Sequence, residues 1–223
     1  MNGAAWGLLA AFGVVAATDW WAVRRGSKRL EYLCKPGCMA FLVALALVLD
    51  GVAGGARAAL VAALVLSTAG DVFLMLPGRQ PGTPGPNLFV LGLGSFLLAH
   101  VAYVVAFVAA GTEGAGLAAG AIAAVVIVAT LGVRVVGATR RGDEPELAAP
   151  VAAYVVVIAA MVATAIGTTD PRAITGAALF AASDSLIAWE RFIRTQPWAP
   201  LAIIVTYHLA QALLATSFAG SAG

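Results

Sequence analysis

The stretch Gly176-Ala-Ala-Leu-Phe-Ala-Ala-Ser-Asp-Ser-Leu-Ile-Ala-Trp189 is a strongly apolar run with one carboxylate, Asp184, near its middle. Such a run predicts a helix inside a lipid bilayer, because there the backbone must satisfy its own hydrogen bonds. A carboxylate at that place costs about 2.5–3.5 kcal/mol and usually marks a functional position. Asp184 is therefore the first candidate functional residue, and its burial predicts a polar partner elsewhere in the chain.

The composition of the whole chain is that of an integral membrane protein. Of its 223 residues, 61% are hydrophobic and only 11% are charged, which is far more apolar than a soluble domain. The formal net charge of +2 excludes a basic surface large enough to grip a nucleic acid backbone. We expect the bilayer as a partner and no nucleic acid, while the oligomeric state stays open.

Eight segments are long enough to cross a bilayer, which takes about 20 residues. The connections between them are brief, and the Pro- and Gly-rich residues 77–87 cannot continue a helix. The predicted fold is therefore an all-α membrane protein: a bundle of eight transmembrane helices in which residues 1–223 form a single integral membrane domain. The eight segments are 3–23, 36–53, 57–76, 88–110, 115–138, 147–167, 172–194 and 199–219.

The positions of lysine and arginine predict the orientation, since cytoplasmic loops carry an excess of both. The even-numbered connections hold only Arg57 and Arg172. This asymmetry predicts that both termini lie outside the cytoplasm, in a multi-pass protein of a bacterial-type plasma (inner) membrane. The odd-numbered connections and their flanks hold Arg24, Arg25, Lys28, Arg29, Lys35, Arg79, Arg134, Arg140, Arg141, Arg191 and Arg194.

A second carboxylate, Asp71, lies inside the third predicted span. At 1.5 Å of rise per residue, Asp71 is roughly 7 Å and Asp184 roughly 15 Å from the cytoplasmic ends of their segments. The two carboxyls are therefore expected to meet in the cytoplasmic half of the bundle. Two buried carboxyls that lie close together are expected to hold one proton between them.

Further polar side chains recur at helical spacing. His100 and Tyr103 share one face of the fourth span, Tyr207 and Gln211 share one face of the eighth, and Tyr154 lies in the sixth. Structural roles are the alternative for each, because a buried histidine or phenol needs only one hydrogen-bond partner. An acid–base hydrolase and a proton-coupled carrier of small molecules or lipids both fit such a set, and spacing alone does not separate them.

Several motifs follow one another along the chain. They are Lys35-Pro36, Gly70-Asp71-x-x-Leu74-Met75, Gly92-x-x-x-Phe96-x-x-x-His100-x-x-Tyr103, Ser183-Asp184 and Tyr207 to Gln211. In this order they resemble the YhhN-like lysoplasmalogenase family over nearly the whole chain. The resemblance implies an eight-helix membrane enzyme that hydrolyses the vinyl ether of lysoplasmalogens to a fatty aldehyde and a glycerophospho-ethanolamine or -choline.

The resemblance also implies roles for individual residues. Asp71 and Asp184 match the candidate catalytic pair, with Asp184 as the acid, although the reverse assignment stays open. Lys35 is expected to meet the substrate phosphate, with a plain positive-inside anchor as the alternative. The other expected substrate-binding residues are His100, Tyr103, Tyr154, Ser183, Tyr207 and Gln211.

His208 departs from the family pattern, which has a second tyrosine at this position. The family is also distantly similar to the alkaline ceramidases, whose zinc site uses three histidines. This chain has two histidines in all, and its two cysteines, Cys34 and Cys38, are too few for a structural zinc site. We therefore expect neither a metal nor another cofactor.

Overall fold

Every regular element of the computed structural model is a helix within the residues that it describes, 1–76 and 87–220. This confirms the all-α prediction. The chain forms two compact units, the first of Met1–Ala106 with the residues from Ala219 onward and the second of Phe107–Phe218. The predicted break at 77–87 lies, except for Asn87, outside the described residues.

The first unit contains four helices, and the last turn of its fourth helix belongs to the second unit. Helices α1 and α2 are joined by a tight turn at Gly26, where φ is +67°. A glycine is needed here because a side chain is strained at positive φ. The four helices are α1 (Gly3–Arg25), α2 (Lys28–Val48), α3 (Gly54–Met75) and α4 (Leu88–Ala110).

Helix α2 begins eight residues earlier than the predicted segment 36–53, which was wrong at both ends. The prediction placed Pro36 at the start of a helix, where proline is best tolerated, but Pro36 lies inside α2. The turn before it is stabilised by Glu31, whose carboxylate lies 2.7 Å from Lys28 Nζ and 3.8 Å from Lys35 Nζ. Each pair of this spacing contributes about 0.2–0.5 kcal/mol to a helix, so both support the helical conformation of the basic segment.

The other end of α2 is capped by a side chain from α3. Arg57 donates from Nη1 to the Leu47 carbonyl at 2.6 Å and from Nη2 to the Leu49 carbonyl at 2.7 Å. The last carbonyls of a helix lack partners within the helix and attract a cation. The helix therefore ends before Asp50, five residues short of the predicted end.

The second unit contains the remaining helices. Helices α5 and α6 join through a π-helical turn, Val128–Gly132, into one continuous rod, Gly114–Arg141. At the entrance of α8, Asp170 accepts hydrogen bonds from the backbone N–H groups of Arg172 and Ala173. The helices are α5 (Gly114–Ile127), α6 (Val133–Arg141), α7 (Ala148–Gly167), α8 (Pro171–Phe192) and α9 (Ala199–Ser217).

Glycines allow the helices of the second unit to touch backbone to backbone. A Cβ at Gly120 would lie 2.3 Å from the Ala163 carbonyl oxygen, and one at Gly116 would lie 2.9 Å from that of Ile166. Helices α5 and α7 therefore pack through a small-residue stripe of the kind that drives helix association in membranes.

Seven of these rods are long and apolar enough to cross a membrane, judged over the described part of the chain. They confirm an integral, multi-pass membrane protein. Helix α8 is the long helix that does not reach this level, since it carries Arg172, Asp184, Glu190 and Arg191 within 22 residues. The helix that holds the central carboxylate is thus also the most polar of the long helices.

Candidate active site

The nine expected site residues all lie on helices, but they are divided between the two units. Asp71 and Asp184 belong to different units, so each is described with the neighbours of its own unit. The proximity of their carboxyls stays a prediction. The first unit holds Lys35, Asp71, His100 and Tyr103, and the second holds Tyr154, Ser183, Asp184, Tyr207 and Gln211.

Asp184 is held by a hydrogen bond from the neighbouring helix. The Tyr154 hydroxyl on α7 donates to Asp184 Oδ2 on α8 at 2.8 Å, and the carboxylate residue is only 7% exposed. This bond fixes the orientation of the Asp184 carboxyl relative to α7. The bond brings together two of the residues that the sequence singled out, from positions 30 residues apart.

Around Asp184, helices α8 and α9 are in close contact. The Ser183 hydroxyl donates to the Ile203 carbonyl at 3.1 Å, and a Cβ at Gly176 would lie 2.9 Å from Leu214 Cγ. The Tyr207 ring stands edge-on to Phe180, with 5.5 Å between ring centroids and 85° between planes. The α9 residues expected at the site are therefore fixed in a rigid, buried helix pair.

Asp71 lies in the corresponding tight contact of the first unit. Its neighbour Gly70 faces the Phe96 ring of α4, where a Cβ would be 2.6 Å from two ring carbons. A Cβ at Gly92 would likewise be 2.6 Å from Leu74 Cδ2. The glycine of the Gly-Asp motif thus has a packing reason, since it lets α3 approach α4 and fixes the buried Asp71 in position.

Ser67 is a candidate that the sequence reasoning missed. It lies one helical turn before Asp71, on the same face of α3, and is fully buried. Its hydroxyl has no hydrogen-bond partner among the described residues, which is unusual for a buried polar atom. The i, i+4 spacing to Asp71 is the signal that would have found it.

His100 and Tyr103 are fully buried on α4. His100 Nδ1 donates to the Phe96 carbonyl at 2.6 Å, because a carbonyl oxygen can only accept a hydrogen bond. His100 therefore bonds to the backbone of Phe96, the residue whose ring packs on Gly70. The expected common face of α4 is present in the structure.

The remaining candidates differ in their exposure. Lys35 is half-buried beside Glu31 on α2, whereas Gln211 and His208 are fully buried on α9. Asp19 on α1 is a further fully buried carboxylate, in a segment that the sequence reasoning left aside. In residues 1–76 and 87–220, no three His, Cys, Asp or Glu side chains are grouped as metal ligands.

The apolar helices indicate a multi-pass membrane protein. Buried carboxyls at two helix contacts place protonatable groups inside it. The particular family follows from sequence comparison: the chain belongs to the YhhN family, whose model matches residues 30–218. The resemblance inferred from the motifs is therefore confirmed.

Individual relatives agree with the family. The chain is 38% identical over 184 residues, 81% of its length and 67% of the relative's, to a lysoplasmalogenase of Mycobacterium bovis (strain ATCC BAA-935 / AF2122/97). The same values hold for a lysoplasmalogenase of Mycobacterium tuberculosis (strain CDC 1551 / Oshkosh). It is 32% identical over 164 residues to lysoplasmalogenase TMEM86B of Homo sapiens, covering 74% of this chain and 65% of that one.

The matched segment thus spans about two thirds of the length of these curated relatives. No solved structure matches the chain. The relatives, rather than any structural neighbour, therefore supply the evidence for the class of reaction.

Proposed function

We propose that this membrane protein is a lysoplasmalogenase, an ether hydrolase that cleaves the vinyl ether of a 1-alkenyl-glycerophospholipid with one chain. The observation that carries the proposal is its identity of 38% over 81% of the chain to relatives of that name. The products are a fatty aldehyde and a glycerophospho-ethanolamine or -choline. A single-chain lysophospholipid is the substrate class, and the apolar helices suit its delivery from the bilayer.

The chemistry requires a proton donor and a carboxylate. Protonation of a vinyl ether at its β-carbon gives an oxocarbenium-like cation, the same kind of species that two carboxyls handle in glycoside hydrolysis. We assign Asp184 as the donor, and the Tyr154 hydroxyl, which donates to Oδ2, holds its carboxyl in a fixed orientation. Asp71 is assigned as the carboxylate that stabilises the cation and activates water.

The proposed steps balance without a cofactor. The Asp184 proton moves to the β-carbon, and the alkene electrons form that new C–H bond. Water then adds to the α-carbon and gives its proton to Asp71, which produces a hemiacetal. The hemiacetal loses its hydroxyl proton to Asp184, its C–O bond to glycerol breaks, and Asp71 returns its proton to the glycerol oxygen.

The other expected residues are proposed to bind the substrate. Lys35 is half-buried at the start of α2 and suits the phosphate as a charged partner. His100 Nε2 suits a water or the glycerol hydroxyl. The remaining proposed contacts are Tyr103, Tyr154, Ser183, Tyr207 and Gln211.

The membrane arrangement is part of the proposal. We propose that α8 also crosses the membrane, as the seventh of eight transmembrane helices, tolerated despite its charges because Asp184 pairs with Tyr154 and because Arg172 and Arg191 lie near its ends. Both termini then lie outside the cytoplasm, in a single membrane domain. The membrane proposed is a bacterial-type plasma membrane.

The proposal is tested with the purified full chain and a defined lysoplasmalogen. We expect fatty aldehyde from the vinyl ether lipid and none from its alkyl ether analogue, which lacks the double bond. Turnover in D2O is expected to place one deuterium on the carbon next to the aldehyde carbonyl. Aldehyde without that deuterium would rule out protonation at the β-carbon.

Substitution of the two carboxyls is the second part of the test. Asp71→Asn and Asp184→Asn are each expected to lower aldehyde release by at least about 100-fold, the usual contribution of a positioned acid or base. Asp143→Asn, in an exposed loop, is the matched control. Near wild-type turnover in either variant, or proton uptake into proteoliposomes without aldehyde, would favour the carrier instead.

A further inference from the structure

The second unit has a groove on its surface, and Arg140 and Arg141 line part of it. This groove of about 420 Å³ runs between the α5–α6 rod and α7, within the usual size of a ligand site. Apart from these two arginines, all the residues that line the groove are apolar. The apolar lining residues are Val128, Gly132, Val133, Val136, Gly137, Ala152, Val155 and Val156.

The groove is separate from the candidate active site. Its α7 walls are Ala152, Val155 and Val156, whereas Tyr154 reaches Asp184 on α8. At about 100° per residue, Ala152 and Val156 lie about 160° around α7 from Tyr154 and Val155 lies about 100° from it, and Tyr154 does not line the groove. An occupant of the groove therefore does not contact the Tyr154–Asp184 pair.

The π-helical turn shapes one end of the groove. Val128 and Gly132 are the first and last residues of that turn, and a Cβ at Gly132 would lie 3.0 Å from Val155 Cγ1. From Val128 to Arg141 the groove runs for about 20 Å along the rod. One leaflet of the hydrocarbon core is about 15 Å thick, so the groove has the length of one acyl chain and its headgroup.

The other end of the groove holds two uncompensated positive charges. The Arg141 guanidinium folds back over Gly137, with Nη2 3.3 Å from where a Cβ would be. Neither Arg140 nor Arg141 has a hydrogen bond or ion pair within the described ranges 1–76 and 87–220. Of the acidic residues that follow, Glu144 pairs with Arg191 instead, and Asp143 and Glu146 form no ion pair with either arginine among the described residues.

We propose that this groove binds one anionic phospholipid of the bilayer, with an acyl chain along the apolar walls and the phosphate against Arg140 and Arg141. Guanidinium groups match phosphate oxygens in geometry and charge. A choline or ethanolamine headgroup would add its own cation beside the two arginines, so a net negative lipid is preferred. In the proposed orientation this end faces the cytoplasmic leaflet, where basic pockets between helices bind anionic headgroups.

Photolabelling of the full chain tests this site directly. The protein is placed in phosphatidylcholine nanodiscs that contain phosphatidylglycerol with a photoreactive group on one acyl chain, and the labelled peptides are mapped. We expect label on 128–141 and on the start of α7, with competition by unlabelled phosphatidylglycerol. Equal competition by phosphatidylcholine, or stronger competition by a lysoplasmalogen, would overturn the proposal.

Two variants with matched controls separate the headgroup from the chain. Arg140→Gln combined with Arg141→Gln is expected to raise the concentration of lipid probe needed for labelling about thirtyfold, or about fivefold for each arginine. The control pair is Arg24→Gln with Arg25→Gln, two consecutive arginines at the end of α1. Unchanged labelling in the groove pair would contradict the headgroup assignment.

Ala152→Trp fills the groove and is expected to abolish labelling at 128–141. Its control, Ala153→Trp, alters the next residue of α7, which is exposed and does not line the groove. If Ala152→Trp does not yield a monodisperse protein, the arginine pair decides the outcome. Labelling that persists in a folded Ala152→Trp variant would overturn the proposal.

Discussion

The hydrogen bond between Tyr154 and Asp184 decides what the central carboxylate can do. The Tyr154 hydroxyl lies 2.8 Å from Oδ2 and so limits the rotation of the Asp184 carboxyl. Tyr154 therefore acts on the reaction through Asp184, as a positioning residue, besides any contact with the lipid. This role follows from geometry, since helical spacing alone equally allowed a packing tyrosine.

Removal of the hydroxyl tests that role. Tyr154→Phe keeps the ring and is expected to lower kcat about tenfold with little change in KM, because a hydrogen bond to a charged group contributes about 1.5–3 kcal/mol. The measurement is aldehyde release across lipid concentrations, with Tyr32→Phe on the exposed part of α2 as control. A rise in KM alone would assign Tyr154 to substrate binding.

At the scale of helices, close contact at glycine distinguishes packed faces from faces that lie against lipid. Gly116 and Gly120 of α5 touch the backbone of α7, while Gly94 of α4 faces open space. Of the two glycines in Gly92-x-Gly94, only Gly92 therefore packs against another helix, where it contacts Leu74. Composition does not separate the two cases, because both glycines lie in equally apolar sequence.

Gly120→Ala is expected to destabilise the protein by about 1–3 kcal/mol, the usual cost of overpacking. The added Cβ would lie 2.3 Å from a backbone oxygen, so α5 and α7 would have to separate at this contact. Thermal unfolding in detergent measures the loss. Gly114→Ala, at the start of the same helix and with nothing within 4 Å, is expected to match the wild type.

The entrance of α8 is sensitive to acid. Burial favours a higher pKa for Asp170, but hydrogen bonds from Arg172 and Ala173 outweigh burial and hold the pKa of Asp170 below its ordinary value of 3.8. A lowered folded pKa means that this contribution to stability is complete above about pH 4 and is lost as the pH falls through the folded pKa.

Asp170→Asn is therefore expected to lower the unfolding temperature at pH 7 and to weaken its dependence on pH below about pH 4. The measurement is a series of thermal unfolding curves in detergent from pH 7 down to about pH 2, which spans the pH range below the ordinary pKa of an aspartate. Asp143→Asn, in an exposed loop, is expected to keep the wild-type dependence. Parallel curves for the wild type and Asp170→Asn would contradict a role for this cap.

At the scale of the whole molecule, the two ends of the chain report the number of spans. Eight spans with basic odd-numbered connections predict both termini outside the cytoplasm, whereas seven spans would place the termini on opposite sides. A periplasm-dependent phosphatase fused to either end is expected to be active. Activity at one end only would mean that α8 does not cross the membrane.

Most of the fold was predictable because helix formation in lipid is a local requirement. The predicted span 88–110 agrees with helix Leu88–Ala110 at both ends. Its apolar run is long enough to cross the hydrocarbon core of a bilayer. The start of α2 was wrong because the helix continues through Pro36, so a proline did not mark the first turn of this helix. The end of α2 was wrong because Arg57, from the next helix, supplies the cap.

The sequence by itself determined that this chain is an all-helical membrane protein of the YhhN family with carboxylates inside its spans. Composition and short motifs carry that information, because each helix meets the bilayer with its own residues. Only the tertiary structure decided that Tyr154 donates to Asp184, that Gly120 touches Ala163, and that Arg140 and Arg141 end a groove. These contacts join residues far apart in sequence, and helical periodicity specifies a face but not the neighbour that meets it.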